Sequence, residues 1–174
     1  MTVTYDTNAL GRGRTGARVV HKRLPDPTEK VISMKTKVNW VSGLRFIGST
    51  EGGHGVILDG SQSDDLDGRL GASPMEMLLL GLGGCSGIDV VHILERMRQL
   101  VEDCQVEVSA ERAEEPPRVF TNIHMIYTVT GAGLTMSKVE EAVRLTAEKY
   151  CSASIMLAKA AEITREIKIV NTSD

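Results

Sequence analysis

Three thiols carry the reactive potential of this 174-residue chain: Cys85, Cys104 and Cys151. Cys104 shares the apolar register of an alternating stretch with Val106 and Val108, so it reads as a buried packing residue. The other two sit among small residues. Gly83, Gly84 and Ser86 surround Cys85, while Ser152, Ala153 and Ser154 follow Cys151. Small neighbours leave room for a ligand or an oxidised sulfur. The two thiols are 66 positions apart (151 − 85), each in a segment with helical signals. Packed in one core they could face each other, as a peroxide-reacting thiol and the thiol that resolves it. From the residues alone, two ordinary core cysteines remain the alternative.

Rival chemistries run along the first of these segments. Cys85, Asp89, His92 and Arg96 fall at i, i+4, i+7 and i+11, on one helical face. A Cys–His nucleophile pair fails on geometry, because seven residues at a 1.5 Å rise put His92 roughly 10 Å along the axis from Cys85. A hydrogen bond needs about 3 Å. Asp89, one turn away, would raise a thiol pKa rather than lower it. The stripe therefore reads as a polar contact with a loop or a second subunit. A zinc site from Cys85, Cys151 and His92 or His124 stays open as an alternative, but no CxxC or HxxxH spacing supports it, and the expectation is a site with no metal or other cofactor.

The elements that must position the thiols are legible in outline. Ser73, Pro74 and Glu76 form a helix start, with Glu76 as the capping-box partner of Ser73. From there the sequence predicts a helix to about Leu100. Met75, Met77 to Leu80 and Leu82 point all round its cylinder, the pattern of a helix covered on every side. Before it, period-two alternation from Met34 to Trp40 predicts a half-buried strand, with further strands at Leu44 to Ile47 and His54 to Asp59. After it come strands around Cys104 to Glu111, Ile123 to Val129 and Ile163 to Val170. Between the last two, Ser137 and Glu140 predict a capped helix running to about Ala161. Consecutive strands outnumber βαβ units, so the fold class is α+β, with a mostly antiparallel sheet around a long central helix. One modest sheet covers one side of that helix, and a second copy of the chain in a homodimer is the simplest cover for the rest.

Composition narrows the function. The chain is 41% hydrophobic but only 3% aromatic, so aliphatic residues and methionine must fill the core. A net charge of -3 gives no electrostatic reason to expect nucleic acid or a membrane as partner. Residues 1–30 differ from the rest: basic, glycine-containing and closed by Pro25 and Pro27, they read as an N-terminal extension. An added edge strand at Ala17 to Lys22 is the alternative. Residues 31–174 form the folded domain. The N-terminal residues lack an apolar signal core, and the apolar run Met77 to Cys85 falls short of the roughly 18 residues of a membrane span. Three cysteines without a secretory signal place the protein in the reducing cytoplasm.

The segment ASPMEMLLLGLGGCSGIDVV, with AEKYCSASIMLAKA farther on, resembles the OsmC/Ohr superfamily of osmotically inducible and organic hydroperoxide resistance proteins. The resemblance extends to VNWVSGL and GHGVILDG before the helix and to SAERAEEPPRVFTNI after it, and its combined pattern resembles the YhfA-like branch. It implies an OsmC-like intertwined homodimer, with long central helices enclosed by sheets from both chains and sites at the subunit interface. It implies reduction of organic hydroperoxides, with Cys85 peroxidatic and Cys151 resolving, re-reduced by a small or lipoyl-type dithiol.

One departure matters. The superfamily's peroxidases carry an acid directly after the helix-start proline, where this chain has Met75. Glu76 is one residue late, and at about 100° per residue it cannot point where Met75 points. The resemblance implies Cys85, Cys151, Arg45 and, as the nearest acid, Glu76 as the catalytic set, with Arg118 a second choice of arginine and Met75, Leu82 and Glu148 lining the substrate. The alternative is a binding protein that takes a small apolar or electrophilic ligand in the same pocket without efficient turnover.

Overall fold

Between two glycine-cornered turns, the first strands fold back on one another as a meander. The structure, a computed structural model, describes residues 33–60 and 68–172, so the basic extension and its candidate edge strand lie outside the described residues. Strands β1 (Thr36–Ser42), β2 (Arg45–Thr50) and β3 (Gly55–Asp59) pair antiparallel in that order. Gly43 adopts φ +52° at the first turn, and the Trp40 indole donates to its carbonyl at 2.9 Å. The expected half-burial of β1 is not found: all its residues are exposed, Trp40 by 67%. Its ladder is made with β2 alone, and the side chains of both its faces are left in solvent.

Asp59 ties the meander to the central helix. Fully buried, it accepts from Arg45 Nε at 2.9 Å and from the Leu70 amide at 3.1 Å. Its own amide donates to the Ala72 carbonyl at 3.0 Å, which brings the chain to the helix start.

Helix α1 (Pro74–Arg96) opens on the predicted capping box. It stops four residues before the expected end at Leu100, and the reason is local. Arg98 turns left-handed at φ 58°, its amide donates to Glu95 and the Gln99 amide to Leu94, both at 2.9 Å. Those two bonds satisfy the last carbonyls and reverse the chain. Leu100 instead begins β4 (Leu100–Arg112), which pairs antiparallel with β5 (Phe120–Ala132). β6 (Glu162–Thr172) runs parallel to β5, so the sheet is mixed, with one parallel ladder.

A parallel pair needs a crossover, and here it carries the second helical segment. That segment departs from the expected single helix capped by Ser137. Helix α2 (Met136–Leu145) has Thr135 as its N-cap with no side-chain capping bond, and the Thr135 amide donates to the Gln99 side-chain oxygen at 2.9 Å. A π-helical turn follows (Thr146–Tyr150), then Cys151 with extended backbone at φ −72° and ψ 99°, then α3 (Ser152–Leu157). The break frees Cys151 to cap α3, its Sγ accepting from the Ser154 amide at 3.4 Å.

The core lies where α1 and the crossover meet the mixed sheet. Leu82, Val90 and Leu94 of α1 are fully buried with Met125, Tyr127 and Val129 of β5. Gly83 and Gly87 make the approach to β4: a methyl group added at either would lie 3.2 Å from Val108 Cγ2 or 3.3 Å from Val106 Cγ2. Leu80 and Ile88, on the other side of the helix, are 62% and 72% exposed, so one chain covers one face only. At 23 residues and a mean hydropathy of 1.8 over its most apolar window, α1 is long and apolar enough to cross a membrane, which corrects the expectation drawn from its unbroken apolar run alone. Its packing against β4 and β5 is that of a core helix. Replacing Gly83 by Val would force the helix off β4, and we expect a loss of about 1–3 kcal/mol in unfolding free energy, measured by denaturant titration.

Candidate functional site

Cys85 lies mid-helix and half-buried, placed by the glycines that seat α1 on the sheet. Cys151 is fully buried, at the helical break of the crossover. The fold brings them together: the two Sγ atoms and a carboxylate oxygen of Asp89 all lie within 4.8 Å of one another. Asp89 therefore belongs to this cluster and is more than a member of a remote polar stripe. One turn beyond Cys85 on the same face, its Oδ2 is buried and without a hydrogen-bond partner among the described residues. His92 and Arg96 continue the face away from the thiols. With Asp89 and Tyr150 they line a cavity of about 330 Å³.

Cys151 holds its proton tightly. Burial, then a hydrogen bond with Cys85 and the nearby Cys85 charge, push the Cys151 thiol up to about 11; the Ser154 amide and Ser86 partly offset this. Cys151 thus keeps its proton near neutral pH and can donate it towards the Cys85 sulfur. For comparison, burial and the neighbouring Asp103 also raise Cys104, which sits apart on β4.

A buried polar network supports the pair. Ser86 Oγ and Tyr127 Oη are 2.7 Å apart, and Arg165 donates to Ser154 Oγ at 2.7 Å and to the Ile163 carbonyl at 3.2 Å. Burial raises the Tyr127 phenol, with Ser86 and Arg165 working the other way. Arg165 Nε is buried without a partner among the described residues. Arg165 and Tyr127 are absent from the expected set, although Arg165 left a signal: it occupies the apolar register of β6, between Ile163 and Ile167. A charge on the covered face of a strand needs a partner inside.

The remaining expected residues are engaged elsewhere. Glu76 is a capping residue and not a neighbour of the thiols: it accepts from the Ser73 amide at 2.6 Å and from Arg69 at 2.7 and 3.0 Å. Arg45 is paired with Asp59, and Arg118 donates to the Glu114 carbonyl at 3.1 Å in the exposed β4–β5 connection. Met75 packs half-buried against the core. Leu82 is sealed inside the core rather than lining a pocket, because it faces the sheet. Glu148 faces solvent, held by Arg144 at 2.6 Å. A larger cavity of about 610 Å³ opens between the first half of α1 and β4, with Arg69, Glu76, Leu80, Gly83 and Val108 on its walls.

The model of the OsmC-like protein family matches residues 64–166. The chain is a member of the OsmC-like family. The match takes in Cys85, Cys151 and Arg165 together. Protein YhfA of Escherichia coli strain K12 is 47% identical over 137 residues, 79% of this chain and 98% of its own length. A hypothetical protein from Aquifex aeolicus has a crystal structure that superposes with a TM-score of 0.73 at 26% identity, covering 82% of this chain and all (100%) of that one. The organic hydroperoxide resistance protein OhrB of Bacillus subtilis shares the fold, with a TM-score of 0.57 at 17% identity over 79% of this chain and 98% of its own. The α+β architecture around a long helix is thus the OsmC-like fold.

At the helix start, hydrogen bonds from the Ser73 side chain and backbone, then from Arg69, hold the Glu76 carboxyl at about 2. A carboxyl lowered on folding stabilises fully above its unfolded value near 4.5, and that contribution fades as pH falls towards 2. Acid titrations of unfolding should show a shallower decline between those limits in Glu76→Ala than in the wild type, and Ser73→Ala should cost about 1 kcal/mol at neutral pH.

Proposed function

We propose that this OsmC-like protein reduces organic hydroperoxides through Cys85 and Cys151. The observation that carries the reading is the pairing itself, a half-buried and a buried thiol from separate elements set within 4.8 Å. The Cys85 thiolate attacks the distal oxygen of the hydroperoxide, the O–O bond breaks, and the alkoxide leaves as an alcohol after taking up a proton. Cys85 is then a sulfenic acid. Cys151 attacks its sulfur, water leaves and a disulfide forms; an external dithiol returns two electrons. Cys151 starts with a tightly held proton, and part of the cause is the Cys85 charge and hydrogen bond. That charge is gone once Cys85 is a neutral sulfenic acid, so the second thiol becomes easier to ionise when it is needed.

A homodimer in the cytoplasm completes the proposal. Leu80 and Ile88 on α1 and Val38, Trp40 and Ile57 on the meander are exposed apolar side chains. A second copy would cover them as one self-complementary interface. Family membership supports the peroxide-related chemistry at the level of the class.

The second reading is a binding protein for a small apolar or electrophilic ligand. Met75 in the acid's place favours it, as does the use of the Glu76 carboxylate for capping. One assay separates the two. Reduced protein is mixed with cumene hydroperoxide and either dithiothreitol or a dihydrolipoyl donor, and peroxide loss is followed. We expect turnover that Cys85→Ser abolishes, and a Cys151→Ser variant that holds a sulfenic acid on Cys85, seen by mass spectrometry. Peroxide loss no faster than with Cys85→Ser would leave the binding reading standing.

A further inference from the structure

We propose that Cys85, Cys151 and Asp89 form a binding site for a soft divalent cation, with zinc as the occupant. On one tetrahedral zinc, Zn–S distances near 2.3 Å and Zn–O near 2.0 Å put two sulfurs about 3.8 Å apart and a sulfur and an oxygen about 3.5 Å apart. The three donor atoms already lie within 4.8 Å of one another. Closing on an ion therefore needs separations to shorten by about 1.3 Å at most, within the reach of side-chain rotation. The donors come from two elements, one turn of α1 and the cap of α3, so the sequence shows no ligand spacing and the site exists only in the fold.

A separate observation points to a cation. Asp89 Oδ2 is buried and has no hydrogen-bond donor among the described residues, an arrangement that costs free energy in the folded protein. A cation held between the two sulfurs would lie against this carboxylate and offset that cost. Arg165, the cation of the supporting network, donates to Ser154 and the Ile163 carbonyl.

The donor set selects the ion. Two thiolates and one carboxylate suit zinc or cadmium and not magnesium or calcium, which take oxygen ligands. Three protein donors leave the fourth position for water, as at exchangeable zinc sites. The cavity of about 330 Å³ lined by Asp89, His92 and Tyr150 gives an approach from solvent. Arg96 also lines it and opposes entry of a cation, so tight binding must come from the three anionic donors. Binding transfers no electrons; the thiol protons pass to solvent. A pair that holds zinc has no thiolate free for a peroxide, so metal and peroxide exclude each other. That last consequence rests on the peroxidase reading, whereas the binding itself does not.

The test uses full-length reduced protein and cadmium as a spectroscopic probe, with zinc in competition. We expect a thiolate-to-cadmium charge-transfer band that saturates at one ion per chain and is displaced by zinc. Zinc should also raise the melting temperature. Cys85→Ser and Asp89→Asn should each weaken binding by at least about 10-fold, the scale seen when even outer partners of a metal site are removed. Cys104→Ser should leave it unchanged. Melting of each metal-free variant shows that it is folded. No band with the reduced wild type, or undiminished affinity in Cys85→Ser or Asp89→Asn, would overturn the proposal. Peroxide loss measured on metal-free protein decides the catalytic reading separately, whichever way cadmium behaves.

Discussion

The closeness of α1 to β4 is the constraint from which the rest of the structure follows. A helix carrying larger residues at positions 83 and 87 could not rest on Val106 and Val108 at this distance, since a single methyl group would already press on them. Two glycines one turn apart lower the helix onto the sheet, and the residues between them, Gly84, Cys85 and Ser86, move with it. Ser86 is thereby buried against Tyr127, and Cys85 turns towards the crossover. The helix loses some intrinsic stability at each glycine, and packing returns it.

Much of this was legible beforehand. The capping box at Ser73, the glycines beside Cys85, the antiparallel strands and the two helical segments all follow local rules that one sequence can display. The meander was found, but its expected burial was not, because alternation reports that a face is apolar and not what covers it. The break at Cys151 was hidden for a different reason. Thr146–Tyr150 contains no glycine or proline, and a π-helical turn has no composition of its own. Reading through it as one helix concealed how Cys151 reaches Cys85.

Asp89 and Arg165 show the limit more sharply. Helical spacing correctly placed Asp89 one turn from Cys85, and correctly set His92 two turns off. Spacing could not show that a second thiol would arrive on the far side of both. Arg165 was visible as a charge among the isoleucines of β6, yet its partner, Ser154, lies across the crossover. Long-range partners of this kind are set by topology, and a single chain read in order carries no register between distant segments.

The parallel ladder between β5 and β6 has a consequence in time. An antiparallel neighbour can zip from a tight turn, whereas β6 can join β5 only after the chain between them has closed over the sheet. Cys151 lies in that closing segment, and Arg165 lies on the strand that arrives after it. A chain still emerging or half-folded therefore has separate cysteines in place of a supported pair. The order of assembly is thus built into the topology: Arg165 reaches Ser154, next to the thiols, only when the last strand is in place.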